Sequence, residues 1–180
     1  MVIFASTNQN KFREVQSILA ALNISVDFAQ IGLIEIQSDS LEEIVREKAK
    51  SAYMQVNRPV IVEDDGLFIE ALKGFPGQYS SHAYKTIGNE GILKLLAGST
   101  NRNASFRSLI AFYDGDHLSI SEGRVDGRIS EKITEGGWGY DPIFIPAGTD
   151  LTFAQSNENK NRYSHRKKAL DNFARWYSTK

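Results

Sequence analysis

The stretch PVIVEDDGLF, Pro59 to Phe68, decides how the chain is to be read. Apolar residues run directly into three adjacent acids, Glu63, Asp64 and Asp65, and then into Gly66. One reading is a β-hairpin, because Asp-Gly is a favoured two-residue hairpin turn and apolar runs flank it. The acids are then solvated turn residues. The other reading is a strand, Val60 to Val62, that ends in carboxylates at a ligand site. In α/β sheets ligands sit outside the carboxyl ends of the strands. The hairpin does not explain why three mutually repelling acids cluster there, so the second reading is preferred.

Val2 to Ala5 reads as a short buried strand and Lys11 to Leu22 as a helix. Phe12, Val15, Leu19 and Leu22 share one face of that helix. Ile24 to Phe28 reads as a second strand. Leu41 to Val56 is the clearest helix, with Ser40 as its N-cap. The segment KGFPGQYSS reads as a turn-rich loop, followed by two short helices ending near LKLLAG. Ala104 to Tyr113 and Leu118 to Ile129 form long strands joined by an Asp114–Gly115 hairpin turn. TEGGWGYDP reads as a rigid loop, and a helix from His165 to Tyr177 closes the chain. Early helix–strand alternation and a late hairpin predict one α/β domain over residues 1–180, possessing a mixed β-sheet flanked by helices.

The composition narrows the function. Of 180 residues, 41% are hydrophobic and 24% charged, which is ordinary for a globular protein. Net charge is −1, which argues against a nucleic-acid or membrane-surface binder. The absence of cysteine removes disulfides, thiol nucleophiles and thiolate zinc sites. The opening MVIFAS reads as a strand rather than a signal peptide, and no segment is long enough for a membrane span. A cytoplasmic location is expected.

Two helix starts carry the wrong charge. A helix N-terminus is the positive end of the dipole, yet Lys11 follows STNQNK, and His165, Arg166, Lys167 and Lys168 follow Ser164. Either acids elsewhere match these cations, or an anion binds at the helix starts. Two such sites in a near-neutral chain favour a polyphosphate, although no GxxxxGK[ST] loop is present. Carboxylates facing phosphates need a cation between them. Magnesium takes oxygen ligands shared between one or two carboxylates and substrate phosphates.

Four motifs, STNQNK (6–11), EDDGLFIEALKGFPGQYSS (63–81), GWGYDPIF (137–144) and SHRKKAL (164–170), together resemble the inosine triphosphate pyrophosphatase family. Their order and spacing span nearly the whole chain. The resemblance implies an elongated α/β fold with two lobes around a central cleft, a homodimer, and Mg2+-dependent conversion of non-standard purine nucleoside triphosphates (ITP, dITP, XTP) to monophosphate and pyrophosphate. It implies a phosphate-binding turn at Ser6, Thr7, Asn8, Gln9, Asn10 and Lys11. Asp64 matches the general base or metal ligand, Glu35 the upstream magnesium ligand, and Lys48 a lysine facing the phosphates. Trp138, Gly139, Tyr140 and Asp141 match the segment around the base. Lys160, His165 and Arg166 match base- and phosphate-contacting positions.

Read alone, Glu35 is a strand-edge glutamate, Lys48 a surface lysine and Trp138 a packing residue. Asp65, in the substrate-binding group, stands where many members have Ser or Thr. His82 replaces a common Arg and receives no role. Other readings are a Maf-like pyrophosphatase acting on modified pyrimidine nucleotides, and a nucleotide sensor without turnover.

Overall fold

The computed structural model describes residues 1–180, with the side chains of all except 157–159. Its strands are β1 (Val2–Ala5), β2 (Val26–Ala29), β3 (Val60–Ile69), β4 (Pro76–Gly77), β5 (Asn103–Tyr113), β6 (Leu118–Ile129) and β7 (Phe144–Pro146). Its helices are α1 (Gln9–Ala21), α2 (Leu41–Val56), α3 (Ser80–Thr86), α4 (Gly88–Leu95), α5 (Asn157–Tyr163) and α6 (His165–Tyr177), with a 3-10 turn at Glu70–Leu72. The strands form one seven-stranded sheet in the order β2-β1-β3-β5-β6-β7, with β4 paired to β3. β1 is parallel to β2 and to β3, with Ile3 opposite Val60 and Phe4 opposite Ile61. β4 is antiparallel to β3, and β7 to β6. The expected class, a mixed sheet flanked by helices, is the one observed.

Local chemistry explains the element ends. Asn8 caps α1, its Oδ1 accepting from the Asn10 and Lys11 amides at 3.0 and 3.1 Å. The helix therefore starts at Gln9, two residues before the predicted start. Ser40 caps α2 through the Glu43 amide at 3.3 Å, and α2 keeps its predicted bounds. In the Asp114–Gly115 turn, Gly115 has φ +104° and Asp114 Oδ1 accepts from the Asp116 and His117 amides. The short helix α5 was not anticipated.

One expectation is overturned. β3 does not end or turn at the acids; it runs unbroken from Val60 to Ile69. Gly66 is the reason. A Cβ there would stand 2.4 Å from the Gly77 carbonyl oxygen, so β4 can lie close alongside only because position 66 has no side chain. The Asp-Gly pair thus marks a close backbone approach rather than a hairpin turn.

The chain divides into two compact units. The first comprises Met1–Asp64, Ser108–Gly123 and Arg166–Lys180, and the second Asp65–Arg107 and Arg124–His165. The first unit is built on Phe4, Val15, Leu19, Ile61, Ile110, Phe112, Leu170 and Phe173. The second is built on Leu67, Ile69, Ile92, Leu96, Phe106, Phe144 and Phe153.

Candidate active site

The pleat of β3 separates the three acids. Successive side chains of a strand point to opposite faces, so Asp64 projects away from Glu63 and Asp65. In the first unit, Asp64 meets Lys48 from α2, with Oδ2 3.0 Å from Nζ. Lys48 Nζ also lies 2.5 Å from Glu35 Oε1 and 3.4 Å from the Glu63 carbonyl oxygen. Lys48 stands on the buried stripe of α2 beside Ile44, Val45, Ala49 and Ala52, which aims its long stem inward. Glu35, Lys48 and Asp64, predicted together, are brought together.

Burial pushes the Asp64 carboxyl above its ordinary value of 3.8; Lys48 and Lys11 oppose that shift without cancelling it, and Glu35 adds to it. Two carboxylates therefore converge on one cationic point, and one of them still lacks compensation for its burial. That donor set suits magnesium. The described residues offer no cluster of three or more acids or histidines for a metal, so phosphate and water would complete the shell, as magnesium usually requires.

On the other face of β3, Glu63 is buried. It accepts from Arg166 Nε at 2.8 and 3.0 Å and from the Ser108 hydroxyl at 2.6 Å. Lys11 Nζ lies 3.6 Å from its second oxygen. Arg166 Nη1 also donates to Glu14. The guanidinium of Arg166 is fully enclosed. The cations at both helix starts therefore have acids on hand, and Lys167 pairs with Asp171 one turn along α6. Arg166 reaches protein carboxylates here rather than an open surface. In the phosphate turn, Ser6 Oγ accepts from the Asn8 amide at 3.1 Å, while Thr7, Gln9 and Asn10 are exposed.

Glu14 and Ser108 were missed. Glu14 lies three residues after Lys11, on the same helix face, which was a usable signal. Ser108 carries no signal of its own: it is one of two serines in β5, just before the apolar run Leu109 to Phe112.

The second unit assembles the remaining predicted residues. Asp141 Oδ2 accepts from Lys160 Nζ at 2.8 Å and from the Trp138 amide at 3.4 Å. Lys160 Nζ also lies 4.9 Å from the centre of the Trp138 ring, a cation–π distance. Tyr140 donates its hydroxyl to the Ser80 carbonyl at 3.0 Å, and burial followed by the nearby Tyr84 pushes its phenol upward. Gly139 accepts from Asn89 of α4. The His165 ring is buried, stacks on Phe106 at 4.5 Å, and has Nε2 3.7 Å from Asp65 Oδ2. His82 is exposed and its side chain makes no ion pair or ring contact among the described residues. A separate cavity of about 1030 Å³, lined by residues including Phe68, Arg107, Arg124 and Arg128, contains none of the predicted site residues.

The chain belongs to the Ham1 family, whose model matches residues 2–176. It is 50% identical over 175 residues to a protein of Thermococcus kodakarensis named dITP/XTP pyrophosphatase, covering 96% of this chain and 95% of that one. It is also 50% identical over 179 residues to the dITP/XTP pyrophosphatase of Methanopyrus kandleri, covering 98% and 95%. Among solved structures, a HAM1 protein from Coxiella burnetii matches with a TM-score of 0.84 at 27% identity, over the full length of both chains. The Staphylococcus aureus Ham1 protein matches with a TM-score of 0.82 at 29% identity, over 98% of each chain.

Proposed function

We propose that this protein hydrolyses non-standard purine nucleoside triphosphates (ITP, dITP and XTP) to the monophosphate and pyrophosphate, clearing deaminated purines from the nucleotide pool. The observation that carries the proposal is the meeting of Glu35, Lys48 and Asp64 at one point, on a chain whose relatives bear the name of that activity. Mg2+ held by Glu35 and Asp64 would screen the phosphate oxygens and neutralise charge developing on the leaving pyrophosphate.

Asp64 takes the proton from the attacking water. The water oxygen bonds to phosphorus, and the bridging bond between the first and second phosphates breaks. Lys11 and Lys48 offset the triphosphate charge, the main demand in phosphoryl transfer. Arg166, being enclosed, acts by holding Glu63, whose second oxygen faces Lys11. The turn at Ser6 to Asn10 approaches the phosphates with backbone and side-chain donors. Trp138 stacks on the purine. Lys160, Asp141 and His165 supply the base-contacting positions that the family resemblance implies, and donors there favour a 6-oxo over a 6-amino group.

The same reading carries a homodimer working in the cytoplasm. No described helix is long and apolar enough to cross a membrane. The test is pyrophosphate release from ITP, dITP, XTP, GTP, ATP and a modified pyrimidine triphosphate, with Mg2+ and with chelator. Release from the first three alone, abolished by chelator, is expected. Release from the pyrimidine alone would point to the Maf-like alternative, and tight ITP binding without turnover to a sensor.

A further inference from the structure

Asn89 is the second residue of α4, yet its side chain is not spent on its own helix. Ile87 occupies the cap of α4, and no side chain caps that end. Instead, Asn89 Nδ2 donates to the Gly139 carbonyl, fifty residues away, at 3.0 Å. Its Oδ1 is enclosed and has no hydrogen-bond partner among the described residues. An enclosed acceptor left unmet costs free energy. The amide thus has one bond, reaching the loop, and an uncompensated oxygen. Helix stability alone does not account for that arrangement.

The loop it reaches has particular need of an anchor. Gly137 and Gly139, on either side of Trp138, both have left-handed backbone, with φ of +66° and +60°. Glycine populates such conformations freely and leaves the chain around Trp138 with little intrinsic stiffness. Asp141 and Lys160 hold the loop from one direction, and the Tyr140–Ser80 bond fixes the residue after Gly139. Asn89 fixes Gly139 itself.

We propose that Asn89 is a positioning residue that holds the Trp138 ring in its base-stacking orientation. The proposal rests on the reading of Trp138 as the residue that stacks on the purine. A stacking platform held in place before the substrate arrives lowers the ordering cost of binding. Losing the anchor therefore weakens ITP binding and leaves the chemistry on the phosphates intact.

The experiment uses the full chain carrying Trp176→Phe, which leaves Trp138 as its one tryptophan. Asn89→Ala and the near-isosteric Asn89→Asp, which keeps the size but removes the donor, are compared with that parent. Both variants should raise KM for ITP by about tenfold, with kcat within about twofold. Time-resolved fluorescence anisotropy of Trp138 should show wider motion in both. Wild-type KM together with wild-type anisotropy in Asn89→Asp would overturn the proposal, as would a lowered melting temperature with both readouts unmoved. If Asn89→Ala does not fold, Asn89→Asp decides. If the parent does not hydrolyse ITP, the functional reading fails, whereas Trp138 anisotropy still decides whether Asn89 anchors the loop.

Discussion

Asp64 concentrates the conflict between stability and activity in a single carboxyl. Burial raises its proton affinity above that of the unfolded chain, so between 3.8 and the raised value the folded state holds a proton the unfolded state has lost. Ionising Asp64 therefore costs stability as pH rises through that window, and the cost is fully present above it. Asp64→Asn should abolish ITP turnover and leave nucleotide binding measurable. At neutral pH, without nucleotide or metal, it should melt no lower than the parent, and that advantage should vanish in acid. A calorimetric pH series checks this; a destabilised variant at neutral pH would contradict it. The acidic limb of kcat/KM should fall above 3.8 and move down as Mg2+ is raised, because a bound cation favours the ionised form. Glu63 belongs instead to a buried ion pair. Glu63→Gln leaves Arg166 enclosed with one fewer carboxylate, and breaking such a buried pair costs about 3–5 kcal/mol. Urea denaturation should show a loss of that order, and an unchanged midpoint would remove the pair from the account. Of these residues, Asp64 lies in one of the four motifs, whereas Glu35 and Lys48 lie outside all of them and were reached only through the family resemblance. The Glu63–Arg166 bond joins positions 103 residues apart, and no local pattern announces it.

At the scale of the element, β3 shows why local reading misplaced a boundary. Asp65–Gly66 has the composition of a hairpin turn, and the neighbouring sequence contains nothing that excludes one. What keeps the strand straight is β4, arriving eleven residues later and bringing the Gly77 carbonyl against position 66. Tertiary pairing overrides turn propensity there. Gly66→Ala should accordingly lower stability by about 1–3 kcal/mol, the usual cost of overpacking. Parent-like stability in denaturant would show that β4 can shift without penalty. α2 and α6 behaved differently: a long apolar stripe fixed α2 between Ser40 and Asn57, and α6 runs over the predicted His165–Tyr177. Their predicted bounds hold because periodicity, not one ambiguous dipeptide, carries the signal.

For the molecule as a whole, strand alternation and the late hairpin made the mixed sheet legible, and the parallel pairing of β1 with β3 follows the expected α/β logic. The division of the chain between Asp64 and Asp65, and again between His165 and Arg166, was not legible. Adjacent residues with similar chemistry serve different units there, and only the folded contacts separate them. In solution, light scattering should give twice the 20.1 kDa chain mass, as the proposed homodimer requires; a mass of one chain would refute it. The most direct measurement is phosphorus NMR of ITP incubated with the protein and Mg2+, with ATP in parallel. Inosine monophosphate and pyrophosphate in equal amounts are expected from ITP, with little change in ATP. Inosine diphosphate with orthophosphate, or equal conversion of ATP, would contradict the proposed function.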